Sequence, residues 1–309
     1  SSWFPREGED WLAAASREVL ATRNGVGICD VSTLGKIDVQ GRDAGAFLDK
    51  LYCNTFSTLA VGKARYGLML REDGIVMDDG TTSRLADDHY VMTTTTANAA
   101  KVMSHMEFCH QALWPDLDVQ YVSVTEQWAQ MAVAGPKSRA TLQKIVDGLT
   151  LSDDTIPYLA ALPVTVLGGI PARLFRISFS GEHAYELAVP ADYGNMVARS
   201  LMQAGEEFGI TPYGVEALSI MWIEKGHVAG GELNGTTTAA DLGLGKMAEI
   251  ISLMVKRAGM PVSRGHGDVV RVRANLVVCP AHLGQSWLTE VDKFSNLKAT
   301  LVTNSTNHA

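Results

Sequence analysis

This 309-residue chain lacks an excess of positive charge, closely paired cysteines, a long apolar run and a nucleotide-binding glycine pattern. Lys and Arg number 26 against 34 Asp and Glu, a formal net charge of −8. No basic stripe offsets that balance, which argues against nucleic acid as a partner. The four cysteines, Cys29, Cys53, Cys109 and Cys279, are scattered, so neither a disulfide framework nor a zinc site is expected. Cys279-x-x-His282 is a lone pair of potential ligands, short of the roughly four that a structural metal takes. No apolar run reaches the ~18–20 residues of a membrane span, so no membrane partner is expected. The first residues have neither the basic n-region nor the apolar h-region of a signal peptide, and no initiator Met. The expectation is a soluble cytoplasmic protein, cut from a longer one. Glycines recur at 226, 230, 231, 235, 243 and 245, but no G-x-G-x-x-G or Walker pattern fits them. A long loop over a cavity is the better reading there, with His227 a candidate that is more often structural than catalytic.

What is present is ample apolar material. Hydrophobic residues make up 46% and charged residues 19%, enough for two or three domains and too apolar for disorder. Charge is uneven: residues 1–250 carry 19 Lys and Arg against 31 Asp and Glu, a net −12, and residues 251–309 carry 7 against 3, a net +4. Composition changes at the same place, so 248–309 is read as a separate segment.

Periodicity predicts a helix over 10–22 with Trp11, Ala15, Val19 and Leu20 on one side. A strand at 36–40 and a helix over 44–51 opened by Asp43 follow. Strands at 64–70, 75–85 and 89–95, joined by turns at 72–74 and 86–88, lead into a helix over 97–111. The later part repeats this grammar: a strand at 127–133, a helix from Pro136 to about 146, strands at 163–168, 172–179 and 183–189, and a helix over 193–207. Antiparallel strands with covering helices make an α+β protein of related modules, not a doubly wound parallel sheet.

Two carboxylate sites stand out. Asp78-Asp79 interrupts a strand, and burying an unpaired carboxylate costs several kcal/mol. Successive strand residues face opposite sides, so one acid can point at a cavity while the other faces solvent or caps a turn; the plain alternative is an exposed strand end. Gly80 beside them marks a close approach of backbone or ligand. Glu186 alternates with Ala184 and Ala188, which leaves room beside it for an amidine-like or guanidine-like edge to donate two parallel hydrogen bonds. An exposed strand glutamate is the plain alternative here too. Ser180-Gly181 lacks the context of a nucleophile elbow, so a serine hydrolase is discounted.

Three blocks carry a family resemblance. Val26-Gly-Ile-Cys-Asp30-Val-Ser-Thr-Leu-Gly-Lys-Ile-Asp-Val-Gln-Gly41 matches G-x-x-D-V-S-x-x-x-x-x-x-V-x-G. Arg65-Tyr66 through Gly74-Ile-Val-Met-Asp78-Asp79 matches a Tyr followed by G-G-I-x-D-D, and Ser178-Phe-Ser-Gly181-Glu-His-Ala-Tyr-Glu186 matches T-G-Y-T-G-E-x-G-F/Y-E. Over residues 1–247 the chain resembles the aminomethyltransferase (glycine-cleavage T-protein) family. Tyr213-Gly-Val-Glu-Ala-Leu, Ile223-Glu-Lys-Gly-His and the threonines at 93–96 resemble the C-terminal folate-binding region of the sarcosine oxidase alpha subunit.

The resemblance implies aminomethyltransferase-like modules around a central channel for tetrahydrofolate, with modules at 1–125 and 126–247 and a truncated, divergent or frameshifted third at 248–309. It implies Asp79 as the acid near folate N5/N10, Glu186 at the pterin edge, Tyr66 lining the pocket and Leu34 on the pterin. Thr95 stands where the T-protein has Asn, Phe179 where it has Tyr, Leu218 where it has Arg, and Trp222 where both branches have Arg. These losses argue against a lipoyl-bound substrate, and Trp222 against full competence. The implied function is capture of the one-carbon iminium from oxidised N-methylglycine as 5,10-methylenetetrahydrofolate, with FAD and NAD on other domains or subunits of the complex. A non-catalytic folate-binding or assembly module, and a free-standing folate-dependent demethylase, are the alternatives.

Overall fold

The computed structural model describes residues 1–227, 233–239, 241 and 242. The segment at 248–309, its suspected frameshift, the Cys279 and His282 pair and much of the glycine-rich stretch lie outside them. The chain divides into two compact units, Ser1–Arg71 with Val76–Thr236 and Glu72–Ile75 with Thr237–Ala309. Among the described residues of the second unit, Gly74 turns the chain at φ +82°, and Thr238 N and Oγ1 both donate to the Asp241 carboxylate at 2.9 Å.

The first unit runs α1 (Trp11–Asn24), β1 (Gly27–Asp30), β2 (Gly35–Gln40), α2 (Ala44–Leu51), β3 (Lys63–Leu70), β4 (Val76–Ala86), β5 (His89–Thr94), α3 (Ala99–Phe108), β6 (Gln120–Ser123), β7 (Trp128–Ala134), α4 (Ser138–Gln143), β8 (Ala161–Val166), β9 (Ile170–Phe175), β10 (Ala184–Pro190), α5 (Gly194–Ala204), β11 (Thr211–Pro212) and α6 (Val215–Lys225). One sheet has the order β3-β4-β5-β2-β6 and the other β11-β1-β7-β10-β9-β8. All pairings are antiparallel except that of β1 with β11. The α+β expectation holds, and β1 joins the sheet of the later strands.

Alternation sorts the core. Ile37, Val39 and Met92 turn toward Phe47 and Leu48 of α2 and Val102 and Met106 of α3. Val133, Leu174, Tyr185 and Leu187 meet Leu142 of α4 and Val197 and Leu201 of α5. The next residues along β1, β7 and β10 (Cys29, Ala134 and Ala184) face Val19 of α1 and Ala217, Leu218 and Met221 of α6. That end of the six-stranded sheet is therefore covered on both faces. Each fully buried large apolar side chain contributes about 1.5–3 kcal/mol over exposure, enough to hold a strand as short as β1.

Some elements differ from the sequence reading. Asp10 caps α1 by accepting from Ala13 N at 2.8 Å, but the buried face is Ala14, Ala15, Glu18, Val19 and Thr22, while Trp11 and Leu20 are more than half exposed. A polar residue occupies the stripe because the Glu18 carboxylate collects Phe4 N at 2.6 Å and Gly214 N at 2.8 Å. Asp43 precedes α2 without capping it; its carboxylate accepts from Asp118 N instead. The predicted helix over 97–111 begins as a 3-10 turn, Thr96–Asn98, and ends as a π turn, Cys109–Leu113.

Candidate functional site

Neither acid of the Asp78-Asp79 pair lies at an exposed strand end: both are buried, at 2% and 7% exposure. Strand alternation separates their roles. The Asp78 carboxylate accepts from Thr95 Oγ1 at 2.6 Å, Asn98 Nδ2 at 3.0 Å and Thr95 N at 3.3–3.4 Å, and so caps the turn after β5. Asp79 accepts from the Tyr66 hydroxyl at 2.7 Å; Tyr66 lies opposite Thr81 on β3, diagonal to Asp79. Burial raises both carboxyls above the ordinary aspartate range, against the lowering effect of these hydrogen bonds. Gly80 is required sterically, because a Cβ there would collide with the carbonyl oxygen of Thr93.

Glu186 sits on β10 opposite Ala132 of β7 and Phe175 of β9, with Ala184 and Ala188 as its same-face neighbours. It is 4% exposed. Gln130 Nε2 donates to its Oε2, and among the described residues Oε1 has no donor. Burial pushes this carboxyl up to about 7, opposed by the Gln130 hydrogen bond and the positive charge of Lys36.

Asp79 and Glu186 open into one cavity of about 440 Å³, which Leu34, Thr95 and Phe179 also line. Five of the six residues singled out in the sequence thus meet there; Tyr66 does not line it and reaches it only through Asp79. The remaining wall is largely apolar. Phe179 and Trp222 stand with ring centroids 5.5 Å apart at 53°, and Leu218 and Tyr213 close the side formed by α6 and the segment before it. The Trp222 indole N–H is buried with no hydrogen-bond partner among the described residues. Cys29 lines the cavity too, but burial pushes its thiol up to about 12, which removes it as a nucleophile at neutral pH. His227 is exposed and bonds the Phe179 carbonyl oxygen through Nδ1 at 3.1 Å; it is not part of the cavity lining.

An apolar chamber lined by two raised carboxyls from different sheets suits a flat ligand with a hydrogen-bond donor edge and a weakly basic amine. Among the described residues no three His, Cys, Asp or Glu side chains are placed to hold a metal ion. No helix among them is long and apolar enough to cross a membrane.

Residues 1–250 match the GCVT N-terminal domain. The chain belongs to that family. It is 61% identical over 249 residues to the sarcosine oxidase subunit alpha of Rhizobium meliloti (strain 1021), covering 80% of this chain and 25% of that protein. For the sarcosine oxidase subunit alpha of Corynebacterium sp. (strain P-1) the identity is 48%, over 78% of this chain and 25% of the relative. The aminomethyltransferase of Chloroherpeton thalassium is 32% identical over 74% of this chain and 62% of its own length. Among solved structures, the glycine cleavage system aminomethyltransferase T from Bartonella henselae shares the fold, with a TM-score of 0.61 at 22% identity over 70% of this chain and 55% of that one. The chain spans about a quarter of the length of the sarcosine oxidase subunits it matches.

Gln130 and Lys36 escaped the sequence reading as site residues. Neither lines this GCVT-family cavity, but Gln130 holds Glu186 from behind and Lys36 holds the Ser32 and Leu34 carbonyls of its wall. Gln130 carried a usable signal, being the one polar residue inside the apolar run Ala129–Ala134 of β7. The contact of Gln130 with Glu186 depends on cross-strand register, which periodicity alone does not supply.

Proposed function

We propose that the cavity binds tetrahydrofolate and that this region serves a sarcosine oxidase-type complex, capturing the one-carbon unit of oxidised N-methylglycine as 5,10-methylenetetrahydrofolate. The observation that carries this reading is the pairing of Glu186, on a floor of alanines, with Asp79 across one apolar cavity. The name of the relatives, sarcosine oxidase subunit alpha, supports such a complex, and this reading assigns FAD, NAD and the other subunits to its remaining parts.

The residues fit the ligand. Among the described residues one Glu186 oxygen has no donor and is left for the amidine-like pterin edge, and a charge-assisted hydrogen bond of this kind is worth about 1.5–3 kcal/mol. Leu34 and the Phe179–Trp222 pair supply apolar walls for a flat ring. Asp79, held by Tyr66, is the group that positions an amine and takes up its proton, general acid–base work worth roughly 10²–10⁴ in rate. Bound tetrahydrofolate would supply the amine that takes up the one-carbon unit. The apolar lining excludes the water that would otherwise hydrolyse an iminium to formaldehyde.

Calorimetric titration with tetrahydrofolate tests the reading first; no binding at high micromolar ligand overturns it. In the assembled complex, Asp79→Ala is then expected to lose methylenetetrahydrofolate formation, and undiminished formation removes Asp79 from its role. Trp222, an uncharged side chain where the family resemblance places an arginine, favours a second reading: folate binding without turnover. Binding with no product formation in the unsubstituted complex would select it.

A further inference from the structure

Lys36 is a buried cation with no carboxylate within ion-pairing distance among the described residues. Its ammonium donates to two backbone carbonyls instead, Ser32 O at 2.8 Å and Leu34 O at 3.1 Å. A buried charge held by neutral groups is costly, and a methionine of similar volume would avoid that cost. The placement therefore calls for a compensating role.

The segment that Lys36 gathers is a wall of the cavity, since Val31, Thr33 and Leu34 all line it. Lys36 is itself fixed in the five-stranded sheet, where its backbone N–H donates to Thr125 Oγ1 at 3.0 Å and its carbonyl accepts from Val124 N at 2.8 Å. The gathered segment is fixed on the other side to β7. Val31 N donates to the Gln130 carbonyl at 2.9 Å, and Gln130 N donates to Ser32 Oγ at 2.9 Å. Gln130 in turn donates its side-chain amide to Glu186. A continuous set of contacts runs from the ammonium through the wall to the cavity carboxylate.

We propose that Lys36 is a positioning residue, which holds the 31–34 wall against the cavity and directs its positive charge at Glu186 so that a ligand's donor edge meets an ionised carboxylate. This rests on the reading of the cavity as a tetrahydrofolate site. Among the described residues, the titratable groups that interact electrically with Glu186 are Lys36 on β2, Cys29 on β1 and Tyr213 after β11. Burial pushes Cys29 and Tyr213 up, so both are neutral near pH 7. Lys36 is pulled down by burial and held up by Glu186, Asp30 and Glu126. Lys36 is therefore the cation that opposes the burial of Glu186.

The test is calorimetric titration of tetrahydrofolate across neutral pH into the full chain and into Lys36→Met and Lys36→Gln, with circular dichroism to establish folding. Affinity of the unsubstituted protein is expected to rise with pH through about 7, as Glu186 ionises. Lys36→Met, without donor or charge, is expected to bind roughly tenfold more weakly at neutral pH and to shift the binding midpoint upward by about one pH unit. Lys36→Gln restores a donor but no charge, so it should recover part of the affinity and keep the shifted midpoint. Variants with the unsubstituted midpoint would overturn the proposal. So would a Lys36→Gln protein that does not fold, which would assign Lys36 to the fold rather than the wall. No binding by the unsubstituted protein is a different failure: it removes the tetrahydrofolate reading and this inference with it.

Discussion

A glutamate whose carboxyl is pushed up to about 7 reverses the usual effect of pH on stability. Between its ordinary value of 4.5 and about 7, the unfolded chain has released this proton while the folded chain still holds it. Stability is then fully present below 4.5 and falls as pH rises through that window, by about 3 kcal/mol in total. Glu186→Gln removes the titration, so urea unfolding between pH 5 and 8 should show a flatter slope than in the unsubstituted protein. Equal slopes would contradict the placement of Glu186 as a buried acid. The same substitution should weaken tetrahydrofolate binding by roughly 10–100-fold, the loss of a charged hydrogen-bond acceptor. Asp79 answers to Tyr66 with its own sign. The Tyr66 hydroxyl lowers the Asp79 carboxyl against the rise caused by burial, so Tyr66→Phe should raise it further. The acid limb of the pH–rate profile in the assembled complex then moves to higher pH; an unmoved limb would mean that Asp79 ionisation does not govern the rate.

At the scale of elements, α6 joins the cavity to the start of the chain. It carries Leu218 and Trp222, and the N–H of its N-cap residue Gly214 is held by Glu18 of α1. Glu18→Ala leaves the N–H groups of Phe4 and Gly214 without that acceptor, and about 2–4 kcal/mol of stability should go with it. Chemical denaturation measures the loss, and Glu18→Gln, which keeps an acceptor oxygen, should recover part of it. An undiminished Glu18→Ala protein would show that the cap is dispensable. The same elements explain what was legible in the sequence. The strands at 63–70, 76–86 and 89–94 were legible from the polar turns that bracket them rather than from alternation, since eight successive residues of β4 are buried, and Glu186 was legible because its same-face neighbours are alanines. Helix α6 was missed because its apolar residues form no single stripe, although Gly226 marks its end in the left-handed conformation. Strands β1, β6 and β11 are four, four and two residues long, too short for a period to register. Lys36 was invisible as a site residue because its partners are backbone carbonyls 2 to 4 residues away, and Gln130, though it stands out as a polar residue in an apolar run, could not be tied to Glu186, which lies 56 residues away across a strand.

For the folded unit containing both sheets, the decisive fact is that neither sheet makes the cavity alone. Asp79, Gly80 and the threonines at 93–95 come from the β4–β5 region, and Cys29, Ala132 and Glu186 come from β1, β7 and β10. A ligand that touches both walls stabilises the arrangement in which both are formed. With free ligand at about a hundredfold over its Kd, binding adds about 2.7 kcal/mol, which for a domain of this size raises the melting temperature by roughly 5–10 °C. Hydrogen exchange locates the effect. Amides of β4 and β5 and amides of β7 and β10 should slow together when tetrahydrofolate is added, because closing either wall without the other leaves the ligand half-held. Slowing confined to β7 and β10 would mean that the ligand engages Glu186 without reaching Asp79, and the two carboxylates would then belong to separate functions.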